Sequence, residues 1–97
     1  MEKDLEKFLL QMKFSKNEIE DMKNIAPTLD VTTLKEVKGV MQVLNFYGYP
    51  KEALPDLFYQ NPNIMTMDEK VLADELDKLV LQKVDIEEFL KNNPFGI

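Results

Sequence analysis

The sequence predicts an all-α protein, and three observations support this prediction. Apolar side chains recur at three-residue and four-residue spacing through most of the chain. Serine or threonine stands three residues before glutamate at several segment starts, a pattern typical of helix N-termini. Apart from the ambiguous junction at 46–49, no run of alternating apolar and polar residues indicates a strand. We therefore expect about six helices in a single domain covering residues 1–97, a length that supports one hydrophobic core.

The first two helices are predicted from an apolar stripe and a capping box. The stripe of the first helix, within residues 1–14, consists of Leu5, Phe8, Leu9 and Met12. Ser15 and Glu18 form the capping box, in which each side chain accepts an N–H group that helix initiation leaves unpaired. The second helix should run from about Lys16 to Ile25. Pro27 ends it, because the residue before a proline is pushed out of the α region.

The next two helices lie on either side of Gly48. Thr33 and Glu36 repeat the capping box, and the helix of about fifteen residues that follows should end at Gly48, which suits a left-handed C-terminal cap. Pro50 can occupy the first position of the following helix. Pro55 would disrupt a helix interior, so we expect this segment to bend or restart there. Its inward side chains are predicted to be Leu54, Leu57 and Phe58.

Two further helices are predicted near the C-terminal end. Thr66 and Glu69 form a third capping box before a long apolar stripe. Asp85 with Glu88 forms a weaker fourth before a short final helix.

An internal repeat with an offset of 35 residues organises these helices. The segments 15–27 and 50–62 have the same length, and the offset continues by aligning Val37 with Leu72 and Leu44 with Leu79. A third copy begins at an offset of 32, which predicts a shorter loop before the last helix. This period is typical of stacked helical units. We expect two and a half repeats, 15–48, 50–82 and a partial 84–97, in a short α-solenoid or right-angled helical bundle, although a six-helix bundle can show such self-similarity by chance.

Two runs carry a resemblance to a known family. FYGYPKEALPDLFYQNPNIM (46–65) and VDIEEFLKNNP (84–94) resemble the repeat of the mitochondrial transcription termination factor family, in which a short leucine-bearing helix is followed by a proline. The resemblance covers roughly residues 12–97. It implies an α-solenoid of helical triplets, commonly curved around nucleic acid in organelles. The matched positions are packing leucines and prolines, so the resemblance transfers no binding residue.

Composition excludes several functions. The chain has no histidine and no cysteine, which removes imidazole and thiolate catalysis, and no spacing singles out a carboxylate or lysine pair for catalysis. We expect neither enzymatic activity, nor a cofactor, nor a metal site. No segment has the apolar length of a signal peptide or membrane span, which predicts a cytoplasmic protein without membrane contact.

The charge balance disfavours nucleic acid as a partner. The net charge is −6, every basic residue is lysine, and residues 50–97 carry ten acidic residues against five lysines. Such a surface repels phosphate, and arginine is missing for bidentate recognition. A protein is therefore the expected partner. Its identity and the oligomeric state do not follow from the sequence.

The predicted binding surface is apolar and aromatic, with acidic helices beside it. Its aromatic residues are Tyr47, Tyr49, Phe58 and Tyr59, and the acidic residues are Asp74, Asp77, Glu87 and Glu88. The cluster at 46–49 has an alternative role as an apolar plug between repeats. Two alternative functions stay open: nucleic-acid binding through Lys13, Lys16, Lys35 and Lys38, and action as an acidic decoy that occupies a basic groove of a nucleic-acid-binding protein.

Overall fold

Six α-helices and three 3₁₀ helices form the fold, and no strand is present. The computed structural model describes residues 1–97. The α-helices are α1 (Lys3–Gln11), α2 (Lys16–Ile25), α3 (Leu34–Phe46), α4 (Leu54–Gln60), α5 (Glu69–Leu81) and α6 (Ile86–Asn92). The 3₁₀ helices are Pro27–Val31, Lys51–Ala53 and Pro62–Thr66. The all-α prediction is confirmed, and the bounds of α2 are those expected from its capping box and Pro27.

Two capping boxes begin α2 and α3 as predicted. The hydroxyl of Ser15 accepts the Glu18 backbone N–H at 3.1 Å, and the Glu18 carboxylate accepts the Ser15 N–H at 2.8 Å. Thr33 and Glu36 make the same reciprocal pair at 3.2 and 3.0 Å. Each box satisfies backbone donors that have no partner inside the helix.

The predicted capping box of α5 is wrong. Thr66 belongs to the preceding 3₁₀ helix, where its hydroxyl donates to the carbonyl of Asn63 at 2.7 Å. The cap is Asp68, whose carboxylate accepts two backbone N–H groups of the first helical turn at 2.8 and 3.3 Å. Aspartate is as effective as serine at this position. Asp68 lies 35 residues after Thr33, so the repeat offset would have identified it.

Three helices end in the same backbone motif at intervals of 35 residues. The residues with positive φ are Lys13, Gly48 and Lys83, at 79°, 87° and 61° respectively. In each case the following residue donates its N–H to the carbonyl five positions earlier, at 2.9 to 3.2 Å. This pairing is the Schellman motif that closes a helix C-terminus. The prediction of a left-handed cap at Gly48 is confirmed, and α1 and α5 use lysine in the same conformation.

The connection before α6 is shorter than its counterpart, as the offset of 32 predicted. Residues 47–53 join α3 to α4 and include the 3₁₀ turn Lys51–Ala53, whereas residues 82–85 join α5 to α6 without such a turn. Pro50 lies just outside the turn with φ −69° and ψ 137°, so it precedes the helical residues. Pro55 lies in the first turn of α4, where a missing N–H is tolerated, and this confirms the predicted restart.

Corresponding elements of successive units lie beside one another. Helix α3 packs between α1 and α5, and the 3₁₀ helix Pro27–Val31 packs against Pro62–Thr66. Twenty buried apolar residues form one core. The radius of gyration is 12.9 Å, near the ~13 Å typical of a 100-residue domain. Leu54, Leu57 and Leu76 lie within this core. The description of the array as an α-solenoid stays a prediction.

Candidate protein-binding surface

Two of the four aromatic residues predicted for the binding surface lie in the core. Tyr49 is only 3% exposed and Phe58 is fully buried, so their assignment to a surface is wrong. Tyr49 ends the Schellman motif of α3, with its N–H donating to the Leu44 carbonyl at 2.9 Å, and this turn directs the chain back into the core. Phe58 lies on the inward face of α4 with Leu54 and Leu57, as the spacing of that helix predicted.

The 35-residue repeat distinguishes the buried Tyr49 from its more exposed neighbours Phe46 and Tyr47. The residue 35 positions earlier is Phe14, which follows the positive-φ residue of α1 and is also buried. Val84 follows the positive-φ residue of α5 and is half-buried. An apolar residue at this position commonly packs on the last turn of the helix. The repeat therefore identifies Tyr49 as a packing residue.

Tyr59 connects α4 to α2 and does not meet Tyr47. Its ring is stacked on Phe14, with centroids 6.3 Å apart, and its hydroxyl donates to Asp21 at 3.3 Å. Burial raises the pKa of the Tyr59 phenol, and the Asp21 carboxylate raises it further. The side chain is 38% exposed, so part of the ring edge remains at the surface.

Tyr47 joins α3 to α5 through its hydroxyl. The phenol donates to the Asp77 carboxylate and lies 3.3 Å from the carbonyl oxygen of Ala73. The hydrogen bond to Asp77 raises the pKa of Tyr47, and partial burial adds to the effect. The phenol therefore keeps its proton and remains a donor near neutral pH. One predicted aromatic residue and one predicted acidic residue thus meet in the structure.

Apolar and aromatic side chains lie within about one helical turn along the chain from Tyr47 or Asp77, and we call Phe46, Tyr47, Val80 and Leu81 the α3–α5 patch. The Phe46 ring meets the Tyr47 ring edge-to-face with centroids 5.2 Å apart. Phe46 and Leu81 are each 82% exposed. Val80 and Leu81 follow Asp77 by three and four residues, so helical geometry places them one turn beyond the Tyr47 hydroxyl. Phe46 and Leu81 also occupy equivalent positions, 35 residues apart, in successive units.

The four predicted acidic residues divide between two helices. Asp74 and Asp77 are exposed on α5, beside the α3–α5 patch. Glu87 and Glu88 lie in the first turn of α6. Glu87 pairs with Lys91 at 2.6 Å, and this hydrogen bond raises the pKa of the Lys91 ammonium. Asp77, on α5, is the acidic residue that hydrogen-bonds a ring of the α3–α5 patch.

The four lysines of the nucleic-acid alternative also divide between two places. Lys13 lies between α1 and α2 and Lys16 begins α2, whereas Lys35 and Lys38 lie on α3 and line one hollow together with Glu2, Asp4 and Glu69. None of the four belongs to an ion pair. The structure therefore groups the predicted lysines in pairs.

Metal binding, membrane crossing and similarity to known proteins are separate questions from the charged and aromatic surfaces. No group of three or more acidic side chains is placed to hold a metal ion. No helix has both the length and the apolar content needed to cross a bilayer. No protein-family model, curated protein or solved structure matches the chain.

Proposed function

We propose that this protein is a non-enzymatic binding module that contacts a partner protein through the α3–α5 patch. The observation that carries the proposal is the exposure of Phe46 and Leu81, each at 82%, on neighbouring helices. Exposed apolar side chains grouped inside a polar rim are characteristic of interaction sites. Aromatic anchors contribute much of the binding energy in protein interfaces.

Charge specifies the kind of partner. Asp74 and Asp77 border the patch, and residues 50–97 have a net charge of −5. The hydrogen bond from Tyr47 holds the Asp77 carboxylate in place before binding. A complementary partner presents an apolar pocket bordered by lysine or arginine, and opposite charges of this kind mainly increase the association rate.

The decisive experiment removes the two anchors. The variant Phe46→Ala/Leu81→Ala and the wild-type full chain are used as baits for chemical crosslinking in the native cell, and the captured protein is then purified and titrated. We expect the double variant to lose about tenfold or more in affinity, as is common for buried anchors. Both residues are exposed, so the circular dichroism spectrum should be unchanged.

The matched control is Val31→Ala, which truncates an apolar side chain that is 78% exposed outside the α3–α5 patch. It should bind like the wild type. Asp74→Asn should slow association at low salt and have a smaller effect at high salt. Full binding by the double variant, or an equal loss in Val31→Ala, would remove the proposal.

Nucleic-acid binding is a second candidate, favoured by the unpaired Lys35 and Lys38 along α3. The resemblance of the sequence to transcription termination factor repeats is the second reason for considering it. Affinity from these lysines should fall steeply as salt rises. A gel-shift titration at low salt with duplex and single-stranded DNA tests this candidate, and absence of any shifted complex would exclude it.

The acidic decoy function stays a third, untested hypothesis. It predicts that the protein competes with DNA for a basic nucleic-acid-binding protein. Acid-to-amide changes on α5 (Asp74, Asp77) and α6 (Glu87, Glu88) should each weaken that competition. If only the α5 changes weaken the competition, the contact is confined to Asp74 and Asp77, and Glu87 and Glu88 take no part in it.

A further inference from the structure

A groove with an apolar lining lies between α1, α3 and α4, apart from the α3–α5 patch. It consists of two adjoining hollows of about 380 Å³ each. Both hollows are lined by Phe8, Met41, Lys51 and Leu54. Leu54 is buried, whereas Phe8 and Met41 are half-buried and leave part of their apolar surface open.

The charged residues of this groove contrast with the rest of the molecule. The first hollow is lined by Lys38 and Lys51, together with the amide side chains of Gln42 and Asn45, and no carboxylate is among its lining residues. Neither lysine belongs to an ion pair. The two lysines give this hollow a positive lining, and Lys38 also borders a neighbouring hollow lined by Glu2, Asp4 and Glu69.

The position of Lys38 keeps that charge at the groove. Its ammonium nitrogen lies 5.7 Å from the centroid of the Phe8 ring, within the range of a cation–π contact. The contact holds the cation above an apolar wall, where it is available to a bound carboxylate. The second hollow adds Met12 and Glu52, so the excess of positive charge is confined to the first.

We propose that this groove binds an amphipathic helical segment of a partner protein, with two apolar anchors and acidic residues beside them. A helix binds in a groove through apolar anchors along one face, and two hollows that share the wall of Phe8, Met41 and Leu54 can each take one such anchor. The flexible thioethers of Met41 and Met12 can adapt to anchors of different shape. Carboxylates next to the first anchor would pair with Lys38 and Lys51.

The lining favours a peptide over a nucleic acid. Single strands bind through rows of aromatic rings on which successive bases stack, together with a basic track along the backbone. Here Phe8 is the only half-exposed ring in the lining, because Tyr49 is 3% exposed. The remaining apolar lining is thioether and aliphatic.

The test measures fluorescence anisotropy of the full chain with a labelled probe. The probe is a synthetic helical peptide of about sixteen residues with two leucines one turn apart and glutamates flanking the first. A matched peptide replaces both leucines by glutamine. We expect saturable binding of the first peptide and at least about tenfold weaker binding of the second, because the anchors supply most of the affinity.

Two variants place the probe in the groove. Lys38→Gln/Lys51→Gln should weaken binding about tenfold through loss of two charge pairs and should reduce its salt dependence. Met41→Glu should weaken binding at least as much, because it adds a carboxylate to the shared wall. Lys70→Gln is the control, since Lys70 is exposed on α5 outside the groove. Thermal melting confirms that each variant folds, and the lysine variant decides the matter if Met41→Glu does not fold.

Several outcomes would contradict the groove proposal and leave the proposed function of the α3–α5 patch unaffected. These are no saturable binding of the leucine peptide, equal binding of the glutamine peptide, equal binding by the double lysine variant, or tighter binding of a single-stranded oligonucleotide of the same charge. Backbone amide shifts on titration provide a further distinction. Changes around Phe8 and Met41 support the groove, whereas changes confined to Phe46 and Leu81 assign the peptide to the α3–α5 patch.

Discussion

The shared ending of α1, α3 and α5 leads to a stability prediction in which two lysines are replaced by glycine. Lys13 and Lys83 hold positive φ values of 79° and 61°. A residue with a Cβ atom pays about 1 to 2 kcal/mol for the left-handed conformation. Glycine avoids that strain, but its more flexible unfolded chain offsets about 0.4 to 1 kcal/mol of the gain. Lys13→Gly and Lys83→Gly should therefore each raise the free energy of unfolding by about 0.5 to 1 kcal/mol.

The reverse change at Gly48 should have the opposite sign. A Cβ built on Gly48 meets no atom within 4 Å, so the cost of Gly48→Ala comes from the backbone alone. We expect a loss of about 0.5 to 1 kcal/mol. For a domain of this size, a change of 1 kcal/mol shifts the Tm by about 4 to 8 °C, so each effect is measurable.

Gly39→Ala is the matched control, because it makes the same chemical change inside a helix. Its Cβ would clash with a carboxylate oxygen of Glu69, the far end of an exposed flexible side chain that can rotate away. Alanine is favoured over glycine by up to about 1 kcal/mol in a helix interior. Gly39→Ala should therefore stabilise the protein, whereas Gly48→Ala destabilises it.

The assay is urea unfolding followed by circular dichroism, with unchanged m-values showing that the denatured state is comparable. The reasoning is refuted if Lys13→Gly and Lys83→Gly both destabilise the protein. It is equally refuted if Gly48→Ala leaves the midpoint unchanged, because the left-handed cap would then carry no strain.

Three further predictions concern the core, a helix cap and an ion pair. Phe58→Ala should lower the free energy of unfolding by about 3 to 5 kcal/mol, because the ring is fully buried, and a loss below about 1 kcal/mol in urea titration would contradict that burial. Asp68→Ala should lower the free energy of unfolding by about 1 kcal/mol, whereas Thr66→Ala should lower it clearly less, since only Asp68 caps α5. Equal shifts of the urea midpoint in the two variants would support the capping box that the sequence predicted at Thr66. The N-terminal ammonium of Met1 hydrogen-bonds Asp30 and lowers the pKa of that carboxyl below its ordinary 3.8. The stability that this contact contributes is present above pH 3.8 and is lost as the pH falls through the lowered pKa of Asp30. Asp30→Asn should therefore be less stable than wild type near neutral pH and equally stable in strong acid. Urea unfolding midpoints measured across this pH range test the prediction.

Local sequence signals predicted much of the helical structure because their causes are local. Ser15 and Glu18 satisfy each other's backbone donors within one turn, so the start of α2 follows from four residues. Gly48 and Pro55 act through their own backbone geometry. Thr66 misled the prediction because its hydroxyl has a competing local acceptor, the Asn63 carbonyl, in a 3₁₀ turn that sequence spacing did not reveal.

The candidate surfaces were less predictable because they depend on contacts between distant residues. Tyr47 reaches Asp77 across thirty positions, and only packing of α3 on α5 brings them together. The groove joins Phe8 and Leu54 through Met41, three residues whose apolar spacing simply indicates core. Composition alone does not distinguish the buried ring of Tyr49 from its more exposed neighbours, whereas the 35-residue offset does.

The recurrence of one backbone geometry at Lys13, Gly48 and Lys83 makes the intervening segments interchangeable at their boundaries. The segment 49–83 begins directly after Gly48, the positive-φ residue that ends α3, and it ends at Lys83, the equivalent residue of α5. In a chain with two copies of this segment, Lys83 of the first copy would be followed by Tyr49 of the second. That junction has the same form as Gly48–Tyr49 and Lys83–Val84 in the present fold. We therefore expect that a chain with a second copy of residues 49–83 would need no new connecting segment between the two copies.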